Sequence, residues 1–210
     1  MEIVVKFFQM RFVKNITEEE MVAVFLRAEL KSIRWSKRIL ESLRKNNLDK
    51  DIIEKPDVIN KKENGYRAKI LREIRGYKKD SGFFEGFPDN VKWVRAVLNK
   101  DELRKARYIN YSYWIELSNG SRLLKDAVRN IKKGVEVFGQ SNKQFFKLAK
   151  LIDKGEKFPE IILVGTNERE EFVILEGHVR LTAYFLAKNP PKELEAIVGY
   201  SKDTPNWSNY

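Results

Sequence analysis

The chain contains no cysteine and a single histidine, His178, in 210 residues. The missing cysteine excludes disulfide cross-links and thiol chemistry, and the sequence has no paired Cys/His pattern of the kind that binds zinc. No apolar run reaches the roughly 18 to 20 residues of a membrane helix, and the N-terminus lacks a signal-peptide pattern. We therefore expect a cytoplasmic protein with no membrane partner.

Basic residues outnumber acidic residues, 41 Lys and Arg against 30 Asp and Glu, which gives a net charge of +11. This excess favours phosphorylated small molecules or polyanions as partners. The two charge signs are interleaved along most of the chain, so a solvated surface without any nucleic-acid role also accounts for the composition.

The first part of the chain is mainly helical in pattern. Residues 1–13 are rich in apolar side chains and predict a strand or a buried segment. Thr17 and Glu20 form a capping box before a first helix, and Asn99 with Glu102 forms a second one. A further helix is predicted from Ser32, with cations including Arg34 outward and an inward apolar face of Ile33, Ile39, Leu40 and Leu43.

An aromatic loop occupies residues 82–89, where three phenylalanines accompany two glycines and a proline. Aromatic side chains in an irregular segment either attach that segment to the core or stack on a planar ligand such as a nucleobase. The sequence favours attachment to the core.

A glycine corner is the feature around which the chain is organised. Residues 161–164 and 172–175 are apolar runs of strand length, and helical spacing begins directly after Gly177. A glycine between a strand and a helix permits a sharp turn and close approach of a ligand, and the start of the helix offers unpaired N–H groups. Arg180 adds a forked cation suited to phosphate. The alternative is that His178 is a surface or capping residue of an ordinary turn.

The segment 177–183, Gly-His-Val-Arg-Leu-Thr-Ala, resembles the Gly-x-x-Arg-x-x-Ala signature of the ParB/sulfiredoxin-like superfamily. Residues 141–164 are similar to the helix, glycine turn, proline and strand that precede the signature in that family. The resemblance covers about the last third of the chain. It implies a nucleotide, ATP or CTP, with Mg²⁺, whose phosphates are held at Gly177 and Arg180. The acidic-Gly-His-x-Arg version is similar to the kinase-like members, which implies a chemical role for Glu176 and His178.

Three departures narrow this resemblance. Sulfiredoxin needs a cysteine in the motif, so cysteine sulfinic acid reduction is excluded. Partition proteins carry Glu-Arg-Arg after the glycine and a helix-turn-helix behind it, whereas this chain has His-Val-Arg and a short remainder. Kinase-like members usually have Asp where this chain has Glu176.

A second corner follows residues 108–117, which read as a strand or a helix. Ser121 and Arg122 lie there before a predicted helix over 123–131, and a hydroxyl and a guanidinium at a helix start suit an anion. We expect this corner to bind the remaining phosphates or the substrate, or to be a simple helix cap.

Together these patterns predict an α+β protein with a mainly helical N-terminal region, 1–105, and a ParB/sulfiredoxin-like domain with a small mixed sheet, 106–210. The expected function is NTP-dependent phosphoryl transfer or NTP hydrolysis, with Glu176 positioning a metal ion or acting as base and His178 assisting proton transfer or charge neutralisation. The alternative is a DNA- or RNA-binding module, with or without nuclease activity.

Overall fold

The structure is a computed structural model that describes residues 10–168 and 170–210. Most of the apolar segment at residues 1–13 lies outside the described residues. Its last part begins strand β1 (Arg11–Asn15), in which every residue is exposed to solvent.

The described residues contain nine α-helices and one sheet. The first part of the chain supplies α1 (Glu18–Leu30), α2 (Ser36–Lys45), α3 (Asp51–Glu54), α4 (Lys61–Arg75) and α5 (Lys100–Leu103). The second part supplies α6 (Ser112–Leu117), α7 (Leu124–Lys132), α8 (Lys143–Asp153) and α9 (His178–Leu186). Short 3₁₀ helices occur at Gly82–Phe84 and Thr204–Asn206.

The sheet has five strands in the order β1, β2 (Lys92–Asn99), β5 (Glu193–Tyr200), β3 (Ile161–Gly165) and β4 (Val173–Glu176). Only the β3–β5 pair is parallel. Every residue of β3 is buried, as expected for an apolar strand inside a sheet. The fold is therefore mixed α+β, as predicted.

The sheet extends across the predicted boundary at residue 105. Strands β1 and β2 come from the first region, and β2 pairs along its whole length with β5 from the second. Residues from both regions consequently share one hydrophobic core, including Phe25, Leu98, Ile162 and Trp207.

Several local predictions are confirmed. Both capping boxes form, at Thr17 with Glu20 and at Asn99 with Glu102. Strands β3 and β4 are antiparallel neighbours, and α9 begins directly after Gly177. Residues 112–117 form a helix, not a strand.

The predicted inward face of the second helix is partly wrong. Ile39 and Leu43 are buried, but Leu40 is 43% exposed and Ile33 is 99% exposed. Ile33 lies outside the helix, because α2 begins only at Ser36. No helix within the described ranges is both long and apolar enough to cross a membrane.

Candidate functional site

The glycine corner, residues 176–180, joins the end of β4 to the start of α9. Gly177 has φ +102°, in the left-handed region that suits glycine. A Cβ atom at this position would lie 2.7 Å from Ile161 Cγ2 and 3.2 Å from Arg180 Nη2. The backbone therefore turns here under two neighbouring side chains, and only glycine fits without strain.

The start of α9 has no side-chain cap among the described residues. The first N–H groups of a helix lack intrahelical partners, and the helix dipole places partial positive charge beside them. Residues 177–180 also line a large cavity. The corner therefore presents uncapped backbone donors beside an open space.

Arg180 forms an ion pair with Glu176, and its Nη1 donates a hydrogen bond of 2.7 Å to the carbonyl of Pro159. Burial lowers the pKa of Arg180 to about 10, while the carboxylates of Glu29 and Glu160 act in the opposite direction. Arg180 therefore remains a cation at neutral pH. Its charge is already shared with Glu176, so an incoming phosphate must share or displace that carboxylate.

His178 lies against the aromatic ring of Trp114, with the ring centroids 5.2 Å apart. Burial, and to a lesser extent the nearby Arg75 cation, lower the pKa of His178 to about 3, against the opposing effect of a backbone hydrogen bond with Ile174. Its Nε2 is buried and has no hydrogen-bond partner among the described residues. The imidazole is therefore neutral at physiological pH and cannot neutralise phosphate charge. Its Nε2 can still form a hydrogen bond with a ligand.

The large cavity has a volume of about 1190 Å³, and we call it the central cavity. Its walls come from the end of α1 and the segment leading to α2, the end of α4, the 3₁₀ helix at residues 82–84, α6, α8 and the glycine corner. Seven Lys and Arg residues line it against three Glu residues. The balance of charge in the cavity favours an anion.

Three arginines besides Arg180 contribute to this positive lining, Arg34, Arg72 and Arg75, and sequence reasoning missed all three as site residues. Arg75, in the last turn of α4, lies with its Nε 3.6 Å from Glu29 Oε1. Arg34 lies on the exposed segment before α2, where it was expected to be a solvated outward cation. One wall of the site is the glycine corner. The other wall comes from the end of α4 and from the segment between α1 and α2.

Glu29 is a buried acid beside these cations. Burial raises its pKa, against the opposing effects of Arg75, Arg180 and Arg34. Glu29 follows Phe25 by four residues and so occupies the apolar stripe of α1. An acidic residue on an apolar stripe is the sequence signal by which this part of the site is recognisable.

Aromatic faces complete the cavity lining. Trp35, Phe83 and Trp114 all contribute to the wall. The guanidinium carbon of Arg75 lies 4.0 Å from the ring centroid of Phe83 and 4.6 Å from that of Trp35. The cavity therefore combines cationic groups with flat apolar surfaces.

The aromatic loop at residues 82–89 is attached to the core, as the sequence favoured. Phe84 is buried and packs against Phe25, while Phe83 and Phe87 pack edge-on against Trp207. Phe83 has a second role, because it also borders the cavity.

The second corner does not belong to this site. Ser121 Oγ donates to the carbonyl of Ser118, at 2.9 Å, and is 2.7 Å from Asp126 Oδ2. Arg122 donates to the main-chain oxygens of Tyr108 and Tyr210, at 2.8 Å and 2.9 Å. Neither Ser121 nor Arg122 lines the central cavity. Their polar groups are already engaged within the protein, which favours the helix-cap alternative over binding of further phosphates of the same ligand.

Comparison with known proteins gave no identification. The chain has no significant match among protein-family models, curated proteins or solved structures. In residues 10–168 and 170–210 no group of three or more His, Cys, Asp or Glu side chains is arranged to hold a metal ion. The central cavity and the glycine corner are therefore the features from which a function can be inferred.

Proposed function

We propose that the central cavity binds a nucleoside triphosphate, ATP or CTP, with its phosphates at the start of α9. One observation carries this proposal: Arg34, Arg75 and Arg180 border the same cavity as the uncapped amides that follow Gly177. Guanidinium groups and helix N-termini are both preferred partners of phosphate.

The size and lining of the cavity agree with such a ligand. Ligand pockets commonly measure about 300–1000 Å³. The central cavity, at about 1190 Å³, is large enough for a nucleotide. Trp35 and Phe83, which are only partly buried, offer aromatic surfaces on which a base can stack.

In this proposal Arg180 changes partner when the ligand binds. It is held by Glu176 in the absence of ligand, and a phosphate beside the α9 amides competes for the same guanidinium. Glu176 is then the carboxylate available to hold Mg²⁺, which would supply further neutralisation of phosphate charge when bound. Magnesium bound to phosphates commonly needs only one or two protein carboxylates, so the lack of a larger acidic cluster in the described residues is compatible with it.

We further propose that the bound nucleotide undergoes phosphoryl transfer or hydrolysis. His178 has a pKa of about 3, so it acts as a neutral hydrogen-bond partner of the attacking or leaving group and not as a cation. The similarity of residues 177–183 to the ParB/sulfiredoxin-like signature supports this reaction class and the corresponding fold.

The binding proposal is tested by calorimetric titration of ATP and CTP with and without Mg²⁺. Arg34 and Arg38 form a matched pair of exposed arginines. Their guanidinium carbons lie 5.1 Å and 5.3 Å from the ring centroid of Trp35. Of the two, only Arg34 lines the cavity. Loss of one charge-assisted hydrogen bond worth about 1.5 kcal/mol weakens binding about tenfold. We therefore expect Arg34→Ala to reduce affinity about tenfold and Arg38→Ala to leave it nearly unchanged.

Equal effects of the two substitutions, or no binding of either nucleotide by the unaltered protein, would contradict the proposal. Catalysis is measured separately as nucleoside diphosphate formation. We expect His178→Ala to abolish that product while nucleotide binding persists. Unchanged product formation in this variant would remove His178 from the reaction.

A further inference from the structure

Helix α8 carries a row of lysines on its exposed face. Four lysines are exposed, Lys143, Lys147 and Lys150 in the helix and Lys154 at its C-cap. Their spacing of four, three and four residues places them on one side of the helix. Phe146, which is 42% exposed, lies beside them. The row is about 16 Å long at the rise of an α-helix.

None of these four lysines forms an ion pair with an acidic residue in the part of the chain that the structure describes. In the described ranges, the lysines that form ion pairs are Lys14, Lys37, Lys50, Lys55 and Lys78. Like charges three or four residues apart on a helix repel one another and destabilise it. The row of lysines therefore destabilises the isolated helix. It also differs from an ordinary solvated helix face, in which acidic residues are interleaved with basic ones.

The row forms a groove together with two apolar side chains. The groove has a volume of about 400 Å³ and is lined by Lys143, Phe146, Lys147, Lys150, Leu151 and Lys154, and we call it the α8 groove. Within residues 10–168 and 170–210, no acidic side chain contributes to its lining. Lys147 and Leu151 also line the central cavity, so the two spaces adjoin.

We propose that the α8 groove binds single-stranded nucleic acid. A row of four cations suits the regularly spaced phosphates of a strand, and an exposed phenylalanine beside them offers a face on which an unpaired base stacks. A duplex hides the faces of its bases and so gains nothing from Phe146. An acidic peptide would engage the lysines but has no base to stack.

This inference does not depend on nucleotide binding in the central cavity, and the two proposals fail separately. Arg34→Ala is expected to weaken nucleotide binding and to leave strand binding within about twofold, because Arg34 is not part of the α8 groove. The α8 variants described below replace no arginine of the central cavity. A loss of strand binding in these variants therefore leaves the nucleotide proposal standing.

The test is fluorescence anisotropy of a labelled 12-nucleotide single strand with the full chain at several salt concentrations. One variant replaces Lys143, Lys147, Lys150 and Lys154 by glutamine. Its control replaces four other exposed lysines that form no ion pair in the described ranges, Lys45, Lys61, Lys62 and Lys202. Both variants lose four positive charges, so they differ only in where those charges lie.

We expect the α8 variant to lose at least tenfold in affinity and the control less than threefold. Four phosphate contacts on a single strand give a slope of log K against log salt concentration of about −3, and this slope should fall towards zero in the α8 variant alone. Phe146→Ala should weaken binding of the single strand about tenfold or more, since a stacked base contributes substantially to affinity.

Thermal unfolding separates binding from a structural role. Because the lysines repel one another, the ligand-free α8 variant should melt at the same temperature as the unaltered chain or higher. A lower melting temperature would overturn the argument from repulsion. Equal loss of binding in the control, tighter binding of a duplex of the same length, or equal binding of a poly-glutamate peptide would each overturn the proposal.

Discussion

Replacement of Gly177 by alanine is the most direct test of the glycine corner. The change imposes a left-handed backbone on a residue with a side chain, at a cost of about 1–2 kcal/mol. The added Cβ would also lie 2.7 Å from Ile161 Cγ2 and 3.2 Å from Ile161 Cβ, on a buried strand that cannot easily move. Crowding of this kind costs about 1–3 kcal/mol. We expect the free energy of unfolding to fall by about 2–5 kcal/mol.

Gly120→Ala is the matched control. Gly120 has φ +83°, but nothing lies within 4 Å of the Cβ position, so only the backbone cost applies. Urea unfolding followed by circular dichroism measures both variants at one pH. A difference of about 2 kcal/mol between them corresponds to about 4–8 °C in melting temperature for a chain of this size. Equal destabilisation of the two variants would refute the close packing of Gly177 against Ile161.

Two further predictions concern His178 and Arg122. The pKa of His178 is about 3 in the folded protein, against 6.5 as its ordinary value. Between these pH values the imidazole is protonated in the unfolded chain and neutral in the folded protein. The free energy of unfolding at pH 5 is therefore about 2 kcal/mol lower than at pH 7. His178→Phe should remove that part of the pH dependence, and the single imidazole NMR signal should remain that of a neutral ring at pH 5; a midpoint near 6.5 would contradict the buried environment. Arg122→Ala should reduce the free energy of unfolding by about 2–4 kcal/mol, because it leaves the main-chain oxygens of Tyr108 and Tyr210 without a charged donor. The same substitution should leave nucleotide affinity unchanged. Arg129→Ala, a more exposed arginine in an ion pair, is its control and should cost less than about 1 kcal/mol; a loss of nucleotide affinity in Arg122→Ala would restore this residue to the binding site.

Features set by neighbouring residues were predictable from the sequence. The capping boxes at Thr17 and Asn99 depend on side chains that reach backbone groups three residues away. The β3–β4 pair and the helix after Gly177 follow from short apolar runs interrupted by a polar link and a glycine. In each case the chemistry that fixes the structure lies within a few residues of chain.

The segment 108–117 shows where local pattern gave no decision. Its aromatic and apolar residues suit a strand or a helix, and it forms α6 from Ser112. Tyr108 and Trp114 are stacked with centroids 4.5 Å apart, and Trp114 lies against His178 of the distant corner. In its helical form this segment packs against α9. That contact between distant parts of the chain is not visible in the local sequence pattern.

The sequence by itself determined the excess of positive charge, the absence of thiol chemistry and the glycine corner with its arginine. Tertiary structure decided which groups surround that corner. Glu176 lies four residues from Arg180, but Glu29 and Arg75 reach the same cavity from helices more than a hundred residues away along the chain. Arg122 also lies at a predicted helix start, but its guanidinium donates to main-chain oxygens of residues distant along the chain. The physical reason is that burial and ionic partnership depend on which elements pack together, and packing is a property of the whole chain.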